Sequence, residues 1–361
     1  MKHKILRLII IIVIAIFALA GGYFAYAYLT YYRLDDNLIL NVDGKGDHSS
    51  VNLNKDYTLA SFNTGFGAYS DDYTFFMDGG KESWAFSKEA VYNNLAGGFD
   101  AINAVNPDFY FLQELDLDGT RSYHVNEAEY YKKLLGSTGK SYSTVFAQNY
   151  DSPFLLYPLT QPHGKNKAGI MTVSNYDITK SIRRSLPVEE GFSKFYDLDR
   201  CYSKSYINIE GTDKKLVLYN VHLSAYTTDP GTAEEQITVL NEDMISEYEA
   251  GNYCIAGGDM NKDLLGDSST YFKKLNNGAN WAKPFPKELL DSSLTITAPF
   301  NEANPIPTCR NVDAPYTVDT FVLTIDGFIT TANVSITETN VINASFKYSD
   351  HNPVYIKFRL N

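Results

Sequence analysis

Residues 253–261 read Tyr-Cys-Ile-Ala-Gly-Gly-Asp-Met-Asn. The run Tyr253–Gly257 has the length and the aromatic and β-branched content of a buried strand. Gly257 and Gly258 suit a tight turn that brings Asp259 forward, and no GxxxxGK follows, so this is not a phosphate-cradling loop. A strand that ends on Asp259 and Asn261 is a device for aiming polar groups from a sheet edge. By itself such a segment is an ordinary turn; its weight comes from how often the pattern recurs.

Outward from it, short β-rich runs alternate with helical stretches. Tyr57–Asn63, Phe109–Gln113, Ala168–Ser174, Ser205–Ile209, Leu216–His222, Ile325–Thr330 and Val354–Phe358 all read as strands. Ser87–Asn103 and Thr232–Ala250 read as helices; in the second, Ile237, Leu240, Met244 and Ile245 fall on one face. With no internal repeat, the economical reading is one α/β domain over residues 55–361. Polar residues again stand at strand ends: Asn63, Gln113-Glu114, His222, Asp326 and Asp350-His351. Taken singly, each is a strand cap or the first solvated residue.

Before this domain, residues 33–54 are polar with little periodicity and are expected to be a tether with one short strand. Residues 1–32 form a separate object. Lys2, His3, Lys4 and Arg7 precede an apolar run from Leu8 to Leu29, long enough to cross a bilayer, which takes roughly 20 helical residues. Tyrosines 23, 26, 28, 31 and 32 gather at its far end, where amphipathic rings prefer the interface. The cationic start is expected in the cytoplasm and the domain outside. The rival reading is a signal peptide cleaved at Ala18-Leu19-Ala20; the apolar run continues past that point, which favours an uncleaved membrane helix.

Composition narrows the chemistry. A net charge of −12 disfavours diffuse nucleic-acid binding, although one phosphate can still be received by a metal and a few local cations. Cys201, Cys254 and Cys309 are too few and scattered for a disulfide framework, leaving room for one bridge, and no cysteine–histidine cluster suggests zinc. Hydrolysing a phosphate ester requires neutralised phosphoryl oxygens, an activated water and help for the leaving oxygen. Glu114 is a hard ligand suited to Mg²⁺ or Mn²⁺, and Asn63 can hold the metal shell or a phosphate oxygen. Asp259 is suited to deprotonate water and Asn261 to donate to developing charge. Asp350 and His351 are adjacent, so in an extended chain they point apart and cannot simply pair. Arg310 and Arg200 are candidate phosphate contacts, Arg310 the better, with salt bridging as the alternative for both.

The blocks SFNTG (61–65), LQELD (112–116), AGIMTVS (168–174), NVHLSAY (220–226), GGDMN (257–261), TIDGFIT (324–330) and SDHNPV (349–354) together resemble the endonuclease/exonuclease/phosphatase superfamily. All stand in that family's chain order. The resemblance implies two packed mixed β-sheets flanked by helices, a four-layer α/β sandwich, with the site at strand ends on one edge. It implies that His351 contacts phosphate while Asp326 orients it, that Asp350 lies toward the metal with Glu114, and that His222 is a second phosphate contact or leaving-group acid. Apurinic endonucleases carry Asn where this chain has His222, whereas the deoxyribonuclease I, neutral sphingomyelinase and inositol 5-phosphatase branches carry His. The 5-phosphatase signature runs are absent.

The expectation is therefore a membrane-tethered, metal-dependent phosphodiesterase outside the cell. Its substrate would be a lipid headgroup, a nucleic acid or a soluble phosphodiester, and no obligate protein partner is indicated. A phosphomonoesterase and a catalytically silent surface-binding module are the alternatives. Residues 151–168, with Pro153, Pro158, Pro162 and Gly164, are neither regular helix nor central strand. Phe154–Tyr157 either packs on the sheet or, with Lys165 and Lys167, meets a lipid headgroup region or the non-scissile side of a phosphodiester.

Overall fold

A computed structural model describes residues 2–189, 191, 197–225, 230–273 and 281–361. Successive side chains of a strand face opposite sides, and that alternation sorts the core into layers. In the strand Asp56–Asn63, Tyr57 and Leu59 face one way and Ala60 and Phe62 the other. Tyr57, Leu59, Phe109 and Phe111 meet Leu216, Leu218, Ile255 and Phe328 of the second sheet in one apolar cluster. The opposite faces carry helices: Val91, Leu95, Phe99 and Ile102 cover the first sheet, and Ile237, Leu240 and Met244 cover the second. Helix, sheet, sheet, helix is the expected four-layer order.

The first sheet runs Val334–Val341, Val354–Leu360, Asp56–Asn63, Phe109–Gly119, Asn166–Ser174, Ser143–Asp151, Val42–Asp43. The second runs Leu38–Ile39, Ile178–Ser185, Cys201–Ile209, Lys215–His222, Tyr253–Asp259, Asp326–Thr331, Leu294–Thr297, with Ser50–Val51 pairing beside Cys201–Ile209. Both are mixed, and each has a parallel pair at its centre. In the first pair Asn63 stands opposite Gln113; in the second His222 stands opposite Asp259. Parallel strands end together, so both pairs deliver their last residues to the same edge.

Three expectations are corrected. Gly257 and Gly258 lie inside the strand Tyr253–Asp259 rather than in a turn. They are small because neighbours crowd them from both sheets. A Cβ on Gly257 would sit 2.6 Å from the Phe328 ring of the adjacent strand and 3.2 Å from Phe111 of the facing sheet. One on Gly258 (φ +139°) would sit 2.0 Å from the Val221 carbonyl oxygen and 3.1 Å from Gln113 Nε2 of the facing sheet. The strand Phe109–Gly119 continues well past Gln113, with a register break between Leu112 and Leu115 that local periodicity does not reveal. Residues 33–54 carry three two-residue strands, not one, and these pair with edge or interior strands of both sheets; pairs this short leave no periodic trace. All three cysteines are buried, free thiols.

At the N-terminus, Lys2–Thr30 forms one exposed helix with a mean hydropathy of 2.8 over its most apolar window. It is a candidate membrane span.

Just below the shared edge the two sheets are joined by hydrogen bonds. Gln113 Nε2 donates to Asn220 Oδ1 at 2.7 Å and to Ser61 Oγ at 3.2 Å, and Asn220 Nδ2 donates to the Met171 carbonyl at 3.0 Å. All of these side chains are buried. Gln113→Leu should therefore cost about 1–3 kcal/mol, because it strands the Asn220 carbonyl. Adding Asn220→Leu should recover part of that loss. Denaturant midpoints of the three proteins in detergent test this, and an unshifted midpoint for Gln113→Leu would mean that the junction contributes nothing.

Candidate active site

The register break in Phe109–Gly119 acts as a bulge and re-aims one side chain. Glu114 takes a left-handed backbone (φ +56°) and turns its carboxylate to the shared edge. There Asn63 Nδ2 donates to Glu114 Oε1 and to Asp259 Oδ2, each at 3.0 Å. Asn63 Oδ1 in turn accepts from the Gly65 N–H at 3.0 Å. The second oxygen of Asp259 accepts from the Asn261 N–H at 2.9 Å. Asn261, also left-handed (φ +48°), donates its side-chain amide to the Leu223 carbonyl at 2.8 Å.

Two histidines flank this centre in opposite charge states. His351 Nδ1 donates to Asp326 Oδ2 at 2.9 Å, and its Nε2 lies 3.7 Å from Asp259 Oδ2. Burial opposes charge on the ring, but Asp326, with Cys309, Asp350 and Asp259 nearby, outweighs it and holds the imidazole protonated well above its ordinary range. His222 Nε2 lies 3.6 Å from Asp259 Oδ2 and 3.8 Å from Glu114 Oε1. Burial, then Arg200 and His351, pushes it well below the ordinary range, so it is neutral. Its Nδ1 has no hydrogen-bond partner among the described residues.

The carboxylates respond to the same crowding. Burial raises Asp259 to about 7, against the pull of His351 and with a push from Asp326. Burial and the neighbouring Asp350 raise Glu114. Burial likewise raises Asp350, although His351 and Arg310 pull it down. Ligand atoms of Glu114, His222 and Asp259 lie within 4.8 Å of one another, as do those of Cys309, Asp350 and His351. The two expected metal ligands thus sit in adjacent groups.

These residues open into a cavity of about 430 Å³ lined by Glu114, His222, Asp259, Asn261, Asp350 and His351. Arg310 also lines it, but its guanidinium is held by carbonyls, Ser70 at 2.7 Å, Asn311 at 3.0 Å and Tyr73 at 3.3 Å. It clamps the loop beside Asp350, whose carbonyl accepts from the Arg310 N–H at 3.0 Å. Its Nε is buried with no hydrogen-bond partner among the described residues.

Two other cations line the wall. Arg200 Nη1 donates to the Leu223 carbonyl at 2.8 Å, and its Nε is buried with no hydrogen-bond partner among the described residues. Arg121 pairs with buried Asp116 at 2.8 Å and stacks on Phe66 at 3.9 Å. Sequence reasoning missed Arg121: nothing in a turn two residues after the strand Phe109–Gly119 marks it, and only its packing carries it to the cavity. Ser349 Oγ, which donates to the Asn63 carbonyl at 2.8 Å, was also missed, although it begins the block SDHNPV. Tyr226, the last residue of NVHLSAY, lies outside the described residues.

Part of the wall comes from residues 151–168. His163 is buried against Ser83, with Nδ1 3.0 Å from the Ser83 hydroxyl, and burial pushes its pKa down to about 3, with Arg121 adding to the shift. Lys165 and Lys167 both approach Asp151, at 4.0 and 3.8 Å. Phe154, Leu156 and Tyr157 do not pack on the sheet; they are exposed.

A model of the Endonuclease/Exonuclease/phosphatase family matches residues 60–351. Among solved structures, an endonuclease/exonuclease/phosphatase family protein from Leptotrichia buccalis is 16% identical at a TM-score of 0.54, covering 84% of this chain and 100% of its own. One from Beutenbergia cavernae is 17% identical at 0.53, covering 85% and 72%. ANGEL2, a 2',3'-cyclic phosphatase, is 13% identical at 0.53, covering 90% and 98%. At these identities the likeness is one of fold. Curated proteins offer no match.

The depressed His163 makes a pH prediction. Unfolded, this imidazole binds a proton near pH 6.5; folded, it resists down to about 3. Its contribution to stability is complete above pH 6.5 and is lost as pH falls toward 3, because the unfolded chain gains the proton first. Against His163→Gln, the wild type should lose about 1.4 kcal/mol more per pH unit below about pH 6. Parallel stability curves for the two proteins would contradict this.

Proposed function

The chain belongs to the endonuclease/exonuclease/phosphatase family, and on that premise we propose that it is a divalent-metal-dependent phosphodiesterase held at the outer face of a membrane. The observation that carries the reading is the convergence on Asp259. Asn63 ties it to Glu114, and a protonated His351 and a neutral His222 approach it from two sides. The cationic residues Lys2, Lys4 and Arg7 in the first turns of the Lys2–Thr30 helix support the outward orientation.

Mg²⁺ or Mn²⁺ fits the donor set. Glu114 and Asp350 are hard oxygen donors that both line the cavity. When bound there, the ion supplies Lewis acidity toward a phosphoryl oxygen.

The chain's own residues do the rest. Asp259, fixed through both oxygens and raised to about 7, is matched to take a proton from the attacking water near neutral pH. His351, held by Asp326, presents a charged Nε2–H to a phosphoryl oxygen or the departing oxygen. Neutral His222 serves as a hydrogen-bonding contact to the phosphate. Arg121 and Arg200 place cationic groups in the wall of a cavity that also carries carboxylates, in a chain of net charge −12. Among the described residues lining the cavity, the thiol of Cys309 is not ready as a covalent nucleophile: it is buried, and burial pushes it up to about 12. Direct attack by water is the consistent route.

Turnover of a chromogenic phosphodiester should vanish with chelator and return with Mg²⁺ or Mn²⁺; full activity after chelation would refute the metal's part. Hydrolysis of the matching monoester at a higher rate would instead favour a phosphomonoesterase. Asp259→Asn and His351→Ala should each lower kcat by about 10²–10⁴, and Glu114→Gln should abolish the metal response with the fold intact by circular dichroism. His222→Ala should slow good and poor leaving groups equally, as a phosphate contact does. A loss confined to poor leaving groups would make His222 the leaving-group acid.

A further inference from the structure

The membrane helix is fastened to the catalytic domain at two points, and both lead to the cavity. Within its last turns, Tyr23 donates its hydroxyl to the Phe154 carbonyl at 3.0 Å, and the Phe154 N–H donates to the Tyr26 hydroxyl at 3.2 Å. Just beyond the helix, Arg33 pairs with Asp199 at 2.6 Å, and Asp199 is also held by buried Arg183 at 3.0 Å. Asp197 and Leu198 then line the catalytic cavity on one side and a small cleft with Tyr31 and Tyr32 on the other. One layer of side chains separates the end of the helix from the cavity.

The loop bonded to Tyr23 and Tyr26 shows an apolar face to the outside. Leu159 is 83% exposed, Tyr157 70% and Leu156 42%, and Met77 on the cavity rim is 56% exposed. From there aromatic rings run inward: Tyr157 lies 5.6 Å from Phe76, and Phe76 4.9 Å from Phe75, which lines the cavity. Apolar side chains left in water at such exposure mark a surface that meets something apolar. What covers them follows from continuity. They adjoin Tyr23 and Tyr26, about 20 residues into a helix whose apolar window is wholly uncovered, the depth at which hydrocarbon gives way to headgroups.

We propose that residues 154–159 are an interfacial contact with the bilayer that the chain's own helix crosses. This contact seats the cavity mouth at the membrane surface, so that the substrate is a phosphate ester carried on a lipid headgroup. The substrate class rests on the phosphodiesterase reading above; the docking surface does not. In the reaction, water adds its oxygen to phosphorus, the P–O bond to the lipid alcohol breaks, and that alcohol leaves with the proton.

Reconstitution of the full chain in phosphatidylcholine vesicles tests both halves. The native cysteines are buried, so a polarity-sensitive fluorophore can be directed to Leu159→Cys. Its emission should shift to the blue and be quenched by lipid-borne quenchers. The same probe at Asp213→Cys, on the hairpin at the opposite end of the Lys215–His222 strand, should stay in water. A water-like spectrum at position 159 overturns the contact, whatever the activity. Leu156→Glu with Leu159→Glu should slow headgroup release from the vesicles about tenfold or more and leave a soluble chromogenic phosphodiester unaffected. Equal slowing of both, or wild-type preference for single-stranded DNA or the soluble diester over vesicle lipid, overturns the lipid substrate. Failure to cleave even the soluble diester sinks the phosphodiesterase reading instead, and the fluorophore still decides the contact.

Discussion

One carboxamide holds the site together. Asn63 ends a strand of the first sheet, and its two amide hydrogens go to Glu114 of the same sheet and to Asp259 of the other. Two carboxylates that close, one buried and one part-buried, would repel, and the amide between them gives each a partner. It also fixes the offset of the sheets. The Gln113–Asn220 bond one layer down repeats the same link between buried amides. The small residues Gly257 and Gly258 let the layers approach closely enough for both bonds to form.

From that spacing follows the division of labour between two like side chains. His351 has Asp326 at hydrogen-bond distance and carries a charge; His222 is equally buried, has no such partner for Nδ1 among the described residues, and does not. Environments that push two identical groups apart in charge supply donor and neutral contact at one pH. The surrounding wall follows the same logic. Arg121, with Asp116 as its fixed counterion, remains buried and charged at low cost, while the surface as a whole stays acidic.

The attachment of the N-terminal helix has a different physical basis from a flexible leash. A tether of some twenty residues would let the domain tumble over the membrane. Here the chain is bonded to Phe154 and Asp199 and then paired into both sheets within 33–54, so the helix and the catalytic cavity share one frame. Orientation of the helix relative to the cavity becomes a property of the fold.

Much was legible in one dimension. Short runs rich in β-branched and aromatic residues marked many of the strands, though not Ser143–Asp151, Ile178–Ser185 or Val334–Val341, and chain order of the short blocks pointed to the family and the polar set from Asn63 to His351. The sequence also showed the N-terminal apolar helix, because length and composition are one-dimensional quantities. Tertiary structure alone decided the rest. Left-handed Glu114 depends on a bulge defined only by its partner strand. Arg310 donates to the carbonyls of Ser70 and Tyr73, far away in sequence, and Arg121 and Arg200 line the cavity beside it. The three short strands in 33–54 are too brief to pattern and exist because edge peptides lacked partners. Charge states, too, were out of reach, since a histidine's pKa is fixed by what burial and long-range pairing bring within about 4 Å of it, and no spacing along the chain records that.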